Sequence, residues 1–378
     1  MKRHIIRSLA LFGLVVAAAA TARAQNANPD TIEIRNRKDG TTKSYRGYLK
    51  VGPAGFQVLT GDKLDKASEP IAPDDIVKVT VGDLPNIKTE VLAAVREKED
   101  AALKVKGNKS ATKEYADAVT AYRELGKASG LPDRTKRYLD FKVVSLNQRP
   151  VDEMDAADPA GKEAWGKAAD KVAADWKDFI STYNAAGKMG WEVWSAARIA
   201  TRVQTERGKY DEAASVWGSL RRSKELPADA RLEAGLQEID FQIRAKAYSN
   251  ASLSAADPDM QKATGSRKER LAVYELAAKA GGEGKPLDGV DKIKAAMDKT
   301  KDPTVHAAGY AMMGELYLAA GKPRDAMWMF LWVETVVNQD KDEVFKAIAR
   351  LTELFDAQTD EDQSKKYREK IKRFRSLI

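Results

Sequence analysis

The stretch Ala307–Asn338, AAGYAMMGELYLAAGKPRDAMWMFLWVETVVN, decides the architecture. Its first half is rich in Ala, Met and Leu, without a proline, and its second half resumes the same apolar texture after Gly321-Lys322-Pro323. Glycine accepts the left-handed backbone that ends a helix, and proline fits the first turn of the next one. The reading is therefore two helices, 303–320 and 323–338, joined by a tight turn. Small residues at Gly314 and Ala326 let the two helices approach closely, while Tyr317 and Phe330 supply bulk for the gap toward neighbouring units. Such a hairpin cannot bury its apolar side chains alone, so it calls for similar hairpins on either side.

Working outward, nearly everything after Pro85 has this texture: Ala, Leu, Glu, Lys and Arg at helical period, punctuated by Gly, Pro or Asp-Pro. Candidate helices run over 86–105, 111–128, 133–147, 160–185, 188–207, 209–223, 228–248, 266–280, 286–299, 303–320, 323–338, 341–357 and 360–377. In the last of them Tyr367, Ile371, Phe374 and Ile378 form an apolar stripe, and Thr359 is placed to cap it ahead of Asp360, Glu361 and Asp362. Its other faces carry Lys365, Lys366, Arg368, Lys370, Lys372, Arg373 and Arg375, a solvated outer surface or a weak contact for anionic envelope surfaces. Before Pro85 the period changes to two. Thr31–Asn36, Thr41–Val51, Gly55–Thr60 and Ile76–Val81 read as strands, with Asp39-Gly40 and Gly52-Pro53-Ala54-Gly55 as turns. Their number and spacing resemble a small SH3-like or Sm-like β-barrel over residues 31–82, with Gly82-Asp83-Leu84-Pro85 as the boundary to a helical domain over 86–378.

The residues at 307–338 resemble the tetratricopeptide repeat (TPR): Gly314 and Tyr317 are three apart, Gly321 sits in the turn, Ala326 and Phe330 are four apart, and Tyr310 stands where the family places its Trp. A second register starts at Trp194, with Gly208, Tyr210, Ala213 and Trp217 in the corresponding places and departures at Thr201 and Gln204. Tyr115, Ala118 and Tyr122 match only the second-helix half. The two better registers start 113 residues apart, which is not a multiple of the family's period of about 34. That mismatch predicts insertions, and Ser249–Gly265 and Gly281–Gly289 read as connecting loops. The fold class is thus mainly α, a TPR-like solenoid of helical hairpins preceded by a small all-β module. The resemblance implies that first helices line a concave binding face, which places Ser195, Arg198, Arg202, Thr205 and Glu206 there. Arg198 and Arg202 share a helix face and suit a carboxylate terminus or an acidic side chain; pairing with nearby acids such as Glu206 is the alternative.

The N-terminus carries an address. Lys2, Arg3 and Arg7 precede an apolar run from Leu9 to Ala20, and Ala22-Arg23-Ala24 supplies a small-x-small cleavage pattern. Residues 1–24 are expected to be a secretory signal peptide cut before Gln25, followed by a short linker at 25–30, so the product is periplasmic or secreted. The apolar run is too short to span a bilayer, and retention as an anchor is the alternative. With no cysteine, the chain has no disulfide, no lipidated-cysteine anchor and no thiol chemistry. Formal net charge is +8, but four of those cations lie in residues 1–24, leaving 60 basic against 56 acidic side chains. That balance reads as a solvated surface, and no nucleic-acid partner is expected.

Candidates for catalysis are few. His306 is the only histidine after residue 24 and stands at a helix start, where its charged form is disfavoured. Asp257-Pro258-Asp259 and Asp360-Glu361-Asp362 lack the spacing and central glycine of a calcium loop. No nucleophile elbow, phosphate loop or dinucleotide fingerprint occurs, so no metal, cofactor or enzyme activity is expected. Trp328 and Trp332 are one turn apart and read as packing between repeats, as do Trp191 with Trp194 and Trp165 with Trp176; an aromatic platform for glycan is the other reading of the first pair. The expectation is a non-enzymatic scaffold of the bacterial cell envelope that binds protein or peptide partners, some with acidic or carboxylate-terminated segments. The alternative is a protein that binds or cuts cell-wall peptidoglycan.

Overall fold

The computed structural model describes residues 28–36, 41–61, 65–104, 111–154 and 159–376. The signal segment 1–24, the first part of the linker, the Asp39-Gly40 turn and Ile378 lie outside these residues. Five strands, β1 (Asp30–Arg35), β2 (Thr42–Gly52), β3 (Gly55–Thr60), β4 (Lys66–Ala67) and β5 (Ile76–Thr80), pair antiparallel in the order β4-β3-β2-β1-β5. Alternation sets the register: Ile32 faces Tyr45 on one side and Val79 on the other, and Val51 faces Phe56 across the Gly52–Gly55 turn. Gly55, at φ 126°, takes a conformation that only glycine reaches without strain.

The sheet does not close into the expected barrel, because β4 and β5 are its two free edges. Its apolar face is covered by helices instead. Ile32, Leu49, Phe56 and Val58 lie in one buried cluster with Trp194, Trp217 and Phe241, and the Phe56 ring meets Trp194 edge-on at 6.2 Å. An ion pair from Arg134 to Asp30 (2.8 Å) pins the same sheet from another side.

Fourteen helices follow among the described residues: α1 (Thr89–Lys104), α2 (Ala111–Gly126), α3 (Asp133–Glu153), α4 (Pro159–Tyr183), α5 (Trp191–Glu206), α6 (Tyr210–Arg221), α7 (Ala228–Arg244), α8 (Tyr248–Ala255), α9 (Gly265–Gly282), α10 (Pro286–Met297), α11 (Pro303–Ala319), α12 (Pro323–Thr335), α13 (Lys341–Ala357) and α14 (Glu361–Ser376). From α5 onward they form five pairs joined by one recurring turn. Gly208, Lys246, Gly284, Gly321 and Thr359 all have φ between 56° and 70°, at successive spacings of 38, 38, 37 and 38 residues. In each turn the next residue's N–H reaches the carbonyl five positions back: Lys209 to Gln204, Ala247 to Gln242, Lys285 to Ala280, Lys322 to Tyr317 and Asp360 to Phe355. This is the Schellman closure, which satisfies the orphaned carbonyls of a helix end.

The common turn corrects four expectations. The separation of 113 residues is three periods of this repeat, so no insertions are needed. Ser249–Gly265 and Gly281–Gly289 are not loops but hold α8, a short 3-10 turn and the junction of α9 with α10. The single helix expected over 228–248 breaks at Lys246, which takes the position that glycine holds in three of the other pairs. Thr359 likewise ends α13 and does not cap α14; the Asp360 carboxylate does, accepting from the Gln363 N–H (3.1 Å). Within the pairs the small residues act as read: a Cβ on Gly314 would stand 2.7 Å from the Phe330 ring, and Ala326 and Phe330 are wholly buried.

First helices of successive pairs touch, α7 on α9, α9 on α11 and α11 on α13, and α13 returns to α5. The row therefore curls until its ends meet. A buried ionic hub ties α7, α11 and α13 together inside it. Arg244, with no exposed side-chain surface, donates to Asp240 (2.9 Å), Glu315 (3.3 Å) and Glu343 (3.0 Å). Lys346 Nζ donates to Gln237 (2.8 Å), Asp240 (2.6 Å) and Glu343 (2.7 Å), while Arg350 grips Glu315 with two bonds of 2.8 Å. Burial alone would raise the Asp240 pKa, but Arg244 and Lys346 hold it below the usual carboxylate range. Burial would likewise lower that of Lys346, and the charges of Asp240 and Glu343 raise it instead.

Candidate functional site

Beyond the hub the N-terminal halves of the same helices stand apart and enclose a cleft of about 1600 Å³. Its floor is built by α5, α7, α9 and the starts of α11 and α13, one wall by α1 and α3, and the other by β1 and β5. The helix starts fall there because each first helix ends in the same turn, so equivalent helices point the same way around the curl.

Ser195, Arg198 and Arg202 all line this cleft. The two arginines share a face, as their four-residue spacing requires, and both grip the carboxylate of Asp342 in the first turn of α13: Arg198 Nε to Oδ2 at 2.9 Å and Arg202 Nη2 to Oδ1 at 2.6 Å. Burial opposes the charge on Asp342, but the two guanidinium groups outweigh it and hold its carboxyl well below the usual range. Burial and the neighbouring Arg198 together lower the Arg202 pKa, and its Nε is buried without a hydrogen-bond partner. Thr205 is buried within α5 and donates to the Thr201 carbonyl (2.7 Å). Glu206 stands at the far end of α5, where it accepts from Arg375 Nε (2.9 Å) and so ties α14 to α5. The proposed residues are thus split: Ser195, Arg198 and Arg202 share the cleft, and Glu206 belongs to a separate clasp.

Several cleft residues carry no local sequence signal. Asp342 pairs with residues 140 and 144 positions away. Arg270 of α9 donates to both carboxylate oxygens of Glu233 on α7, at 2.7 and 2.5 Å. Asp74 comes from a 3-10 turn, Pro73–Asp75, and is half-buried in the cleft. Burial, then the Glu233 charge, push its pKa up to about 7 against the pull of Arg198. A second carboxyl, Asp152 of α3, is pushed up to about 6 by burial in a small cavity beside Arg375. Acidic pairs in turns and first helical turns read as capping and punctuation in the sequence, which hides such longer-range roles.

Other singled-out residues lie elsewhere. The His306 Nε2 is 2.9 Å from the Thr300 carbonyl at the start of α11. Tyr367 and Ile371 are buried, and Arg368, Lys370 and Arg375 make ion pairs with Asp356, Glu334 and Glu206, so part of the basic face of α14 is internal. Trp194 and Trp176 are buried as expected. Trp328 and Trp332 are not: they are 56% and 42% exposed, and only Tyr310 stacks on Trp332, at 5.5 Å. Packing between repeats therefore does not account for Trp328. Among the described residues no group of three or more His, Cys, Asp or Glu is placed to hold a metal ion, and no helix is long and apolar enough to cross a membrane. No protein-family model matches the chain, and no curated protein is similar to it.

Proposed function

We propose that this protein is a non-enzymatic scaffold of the bacterial cell envelope, exported through its N-terminal signal, whose TPR-like helical repeat holds a segment of a partner protein in the central cleft. The observation that carries the reading is the size and lining of that cleft. At about 1600 Å³ it exceeds the roughly 300–1,000 Å³ of small-molecule pockets, and it is floored by first helices, the surface that such repeats use for binding. Arg198 and Arg202 support an acidic ligand group, since they already hold one carboxylate from within the chain. An incoming carboxylate would compete with Asp342 for the same two forks.

The test places a photo-activated cross-linker at Ser195, inside the cleft, or at Lys279, exposed on α9. In living cells, adducts with another protein are expected from position 195 and not from position 279. Equal adducts from both, or none from 195, would remove the cleft from the reading. A second reading, binding of cell-wall glycan, has one observation in its favour, the exposed Trp328 and Trp332. It predicts co-sedimentation with purified peptidoglycan that is lost in a Trp328→Ala/Trp332→Ala variant.

A further inference from the structure

We propose that the cleft takes up a partner's acidic group together with a proton from solvent, and that Asp74 is the residue that holds this proton. The inference rests on the scaffold reading and adds the regulation of its site. Arg198 and Arg202 are committed to Asp342, and Arg270 of α9 donates to both carboxylate oxygens of Glu233. The three arginines of the floor are thus neutralised from within the chain. Asp74 lines the same cleft and makes no ion pair among the described residues. Acting on it are Glu233 of α7, Arg198 of α5, and Asp342 and Asp340 of α13, so three carboxylates face it against one guanidinium. Asp75 stands beside it on the turn, and Lys341, also along the cleft, donates to the Asn338 carbonyl (3.2 Å).

An incoming carboxylate takes bonds from Arg198 and Arg202 but leaves Asp342 on α13, so the floor gains a negative charge and no positive one. Carboxyls gathered this way cannot all stay ionised without cost, and the one that lacks a cation is the first to take a proton. That one is Asp74. Burial, then the Glu233 charge, already push its pKa up to about 7.

Movement is the other way to relieve an added charge, and the backbone opposes it. The turn that carries Asp74 is held on both sides: the Ile71 N–H donates to the Phe56 carbonyl (2.8 Å), the Asp75 N–H to the Ala72 carbonyl (3.0 Å) and the Ile76 N–H to the Pro73 carbonyl, while Pro73 is buried. Asp74 therefore answers by protonation and not by leaving the floor. Because it is only half-buried, water in the cleft can deliver the proton. The sign follows: the protonated cleft is the better receptor for an acidic group, and the group is released as pH rises through about 7.

The test uses acetate as the carboxylate, up to about 0.2 M, exchanged against chloride so that ionic strength stays fixed. Acetate loses its own proton well below pH 6, so its charge is constant over the range used. Binding is followed in the full chain at the Arg198 and Arg202 side-chain N–H resonances, with isotope-labelled arginine. The dissociation constant is expected to be weaker by roughly fivefold or more at pH 8 than at pH 6, within the limit of about tenfold per pH unit for one proton. Asp74→Asn is expected to bind at pH 8 nearly as the parent does at pH 6, with a change of under about twofold between the two. Should that variant not fold, the carboxyl carbon resonance of Asp74 in the parent decides, since its titration midpoint is expected to rise in acetate. Equal constants at both pH values, or a midpoint that acetate leaves unmoved, would overturn the proton coupling and leave the scaffold reading and its arginine pair standing. No change at either arginine resonance would overturn this inference and the acidic-ligand part of the scaffold reading together, with cross-linking from position 195 left to judge the scaffold itself.

Discussion

The hub and the cleft are built from the same helices with opposite outcomes. Around Arg244, Lys346 and Arg350 the acids and bases of α7, α11 and α13 meet at hydrogen-bond distance with almost no exposed surface. A few residues nearer the N-termini, Glu233, Asp302 and Asp340 face a cleft of about 1600 Å³ together with Arg198, Arg202 and Arg270. Charge alone does not separate the two regions, since both mix signs. The difference is desolvation. In the hub every charge has given up water and must be repaid by its partners, so the region tolerates no vacancy. In the cleft Arg198, Arg202 and Asp342 keep access to water, and a ligand or proton can come and go.

The largest expected effect therefore comes from the hub. Arg244→Met leaves Asp240, Glu315 and Glu343 short of a cation they share, and should cost about 3–5 kcal/mol in urea unfolding. A loss under about 1 kcal/mol would mean that Lys346 and Arg350 re-pair the acids and that Arg244 is not what holds α7, α11 and α13 together.

Asp342→Asn acts at the boundary of the two regions. It weakens both arginine bonds that join α5 to α13, but Arg198 and Arg202 keep contact with water, so the cost should be about 1–3 kcal/mol. Faster amide exchange is expected in the first turns of α13 and along α5, with α9 to α12 unchanged. Exchange accelerating everywhere would show that this link belongs energetically to the hub.

The sequence made the parts legible and left their arrangement hidden. Helical period, the Gly321-Lys322-Pro323 turn and the strand alternation before Pro85 are local signals, and each corresponds to an observed element. The period of 37–38 residues was masked because its turn is held by glycine in only three of five pairs, with Lys246 and Thr359 in the others. The open sheet was invisible because strand count does not say which surface covers the apolar face, here Trp194 and its neighbours. Arg198 and Arg202 were legible as a pair on one helix face. Their partner was not, because Asp342 approaches only when the row curls through five helix pairs.

Protonation gives two acids of the cleft, Asp342 and Asp74, opposite pH responses. Asp342 has a lowered folded pKa, so its contribution is present above the ordinary value of 3.8 and is lost as pH falls further. Asp74 is raised from 3.8 to about 7, so its contribution is present below 3.8 and is lost as pH rises through 7. Asp152, raised to about 6, adds to the same fall. Asp74→Asn should flatten this part of the profile, gaining on the parent by about 1 kcal/mol between pH 5 and 8 once solvent access to the cleft is allowed for. Parallel profiles for the two proteins would place Asp74 outside the charge field of the cleft.

The smallest effect separates an edge strand from an interior strand within a single sheet. Val58 of β3 has no exposed surface and packs under the helices, so Val58→Thr buries a hydroxyl and should cost about 1–3 kcal/mol. Val77 of β5 is 46% exposed beside the cleft, and Val77→Thr keeps both shape and strand preference, so stability should move by less than about 0.5 kcal/mol. Equal costs at the two positions would mean that β5 is packed as tightly as the centre of the sheet. Near-silence at Val77 would mean that its side chain contributes little to the folded chain, as expected where one face of the strand meets the solvent of the cleft.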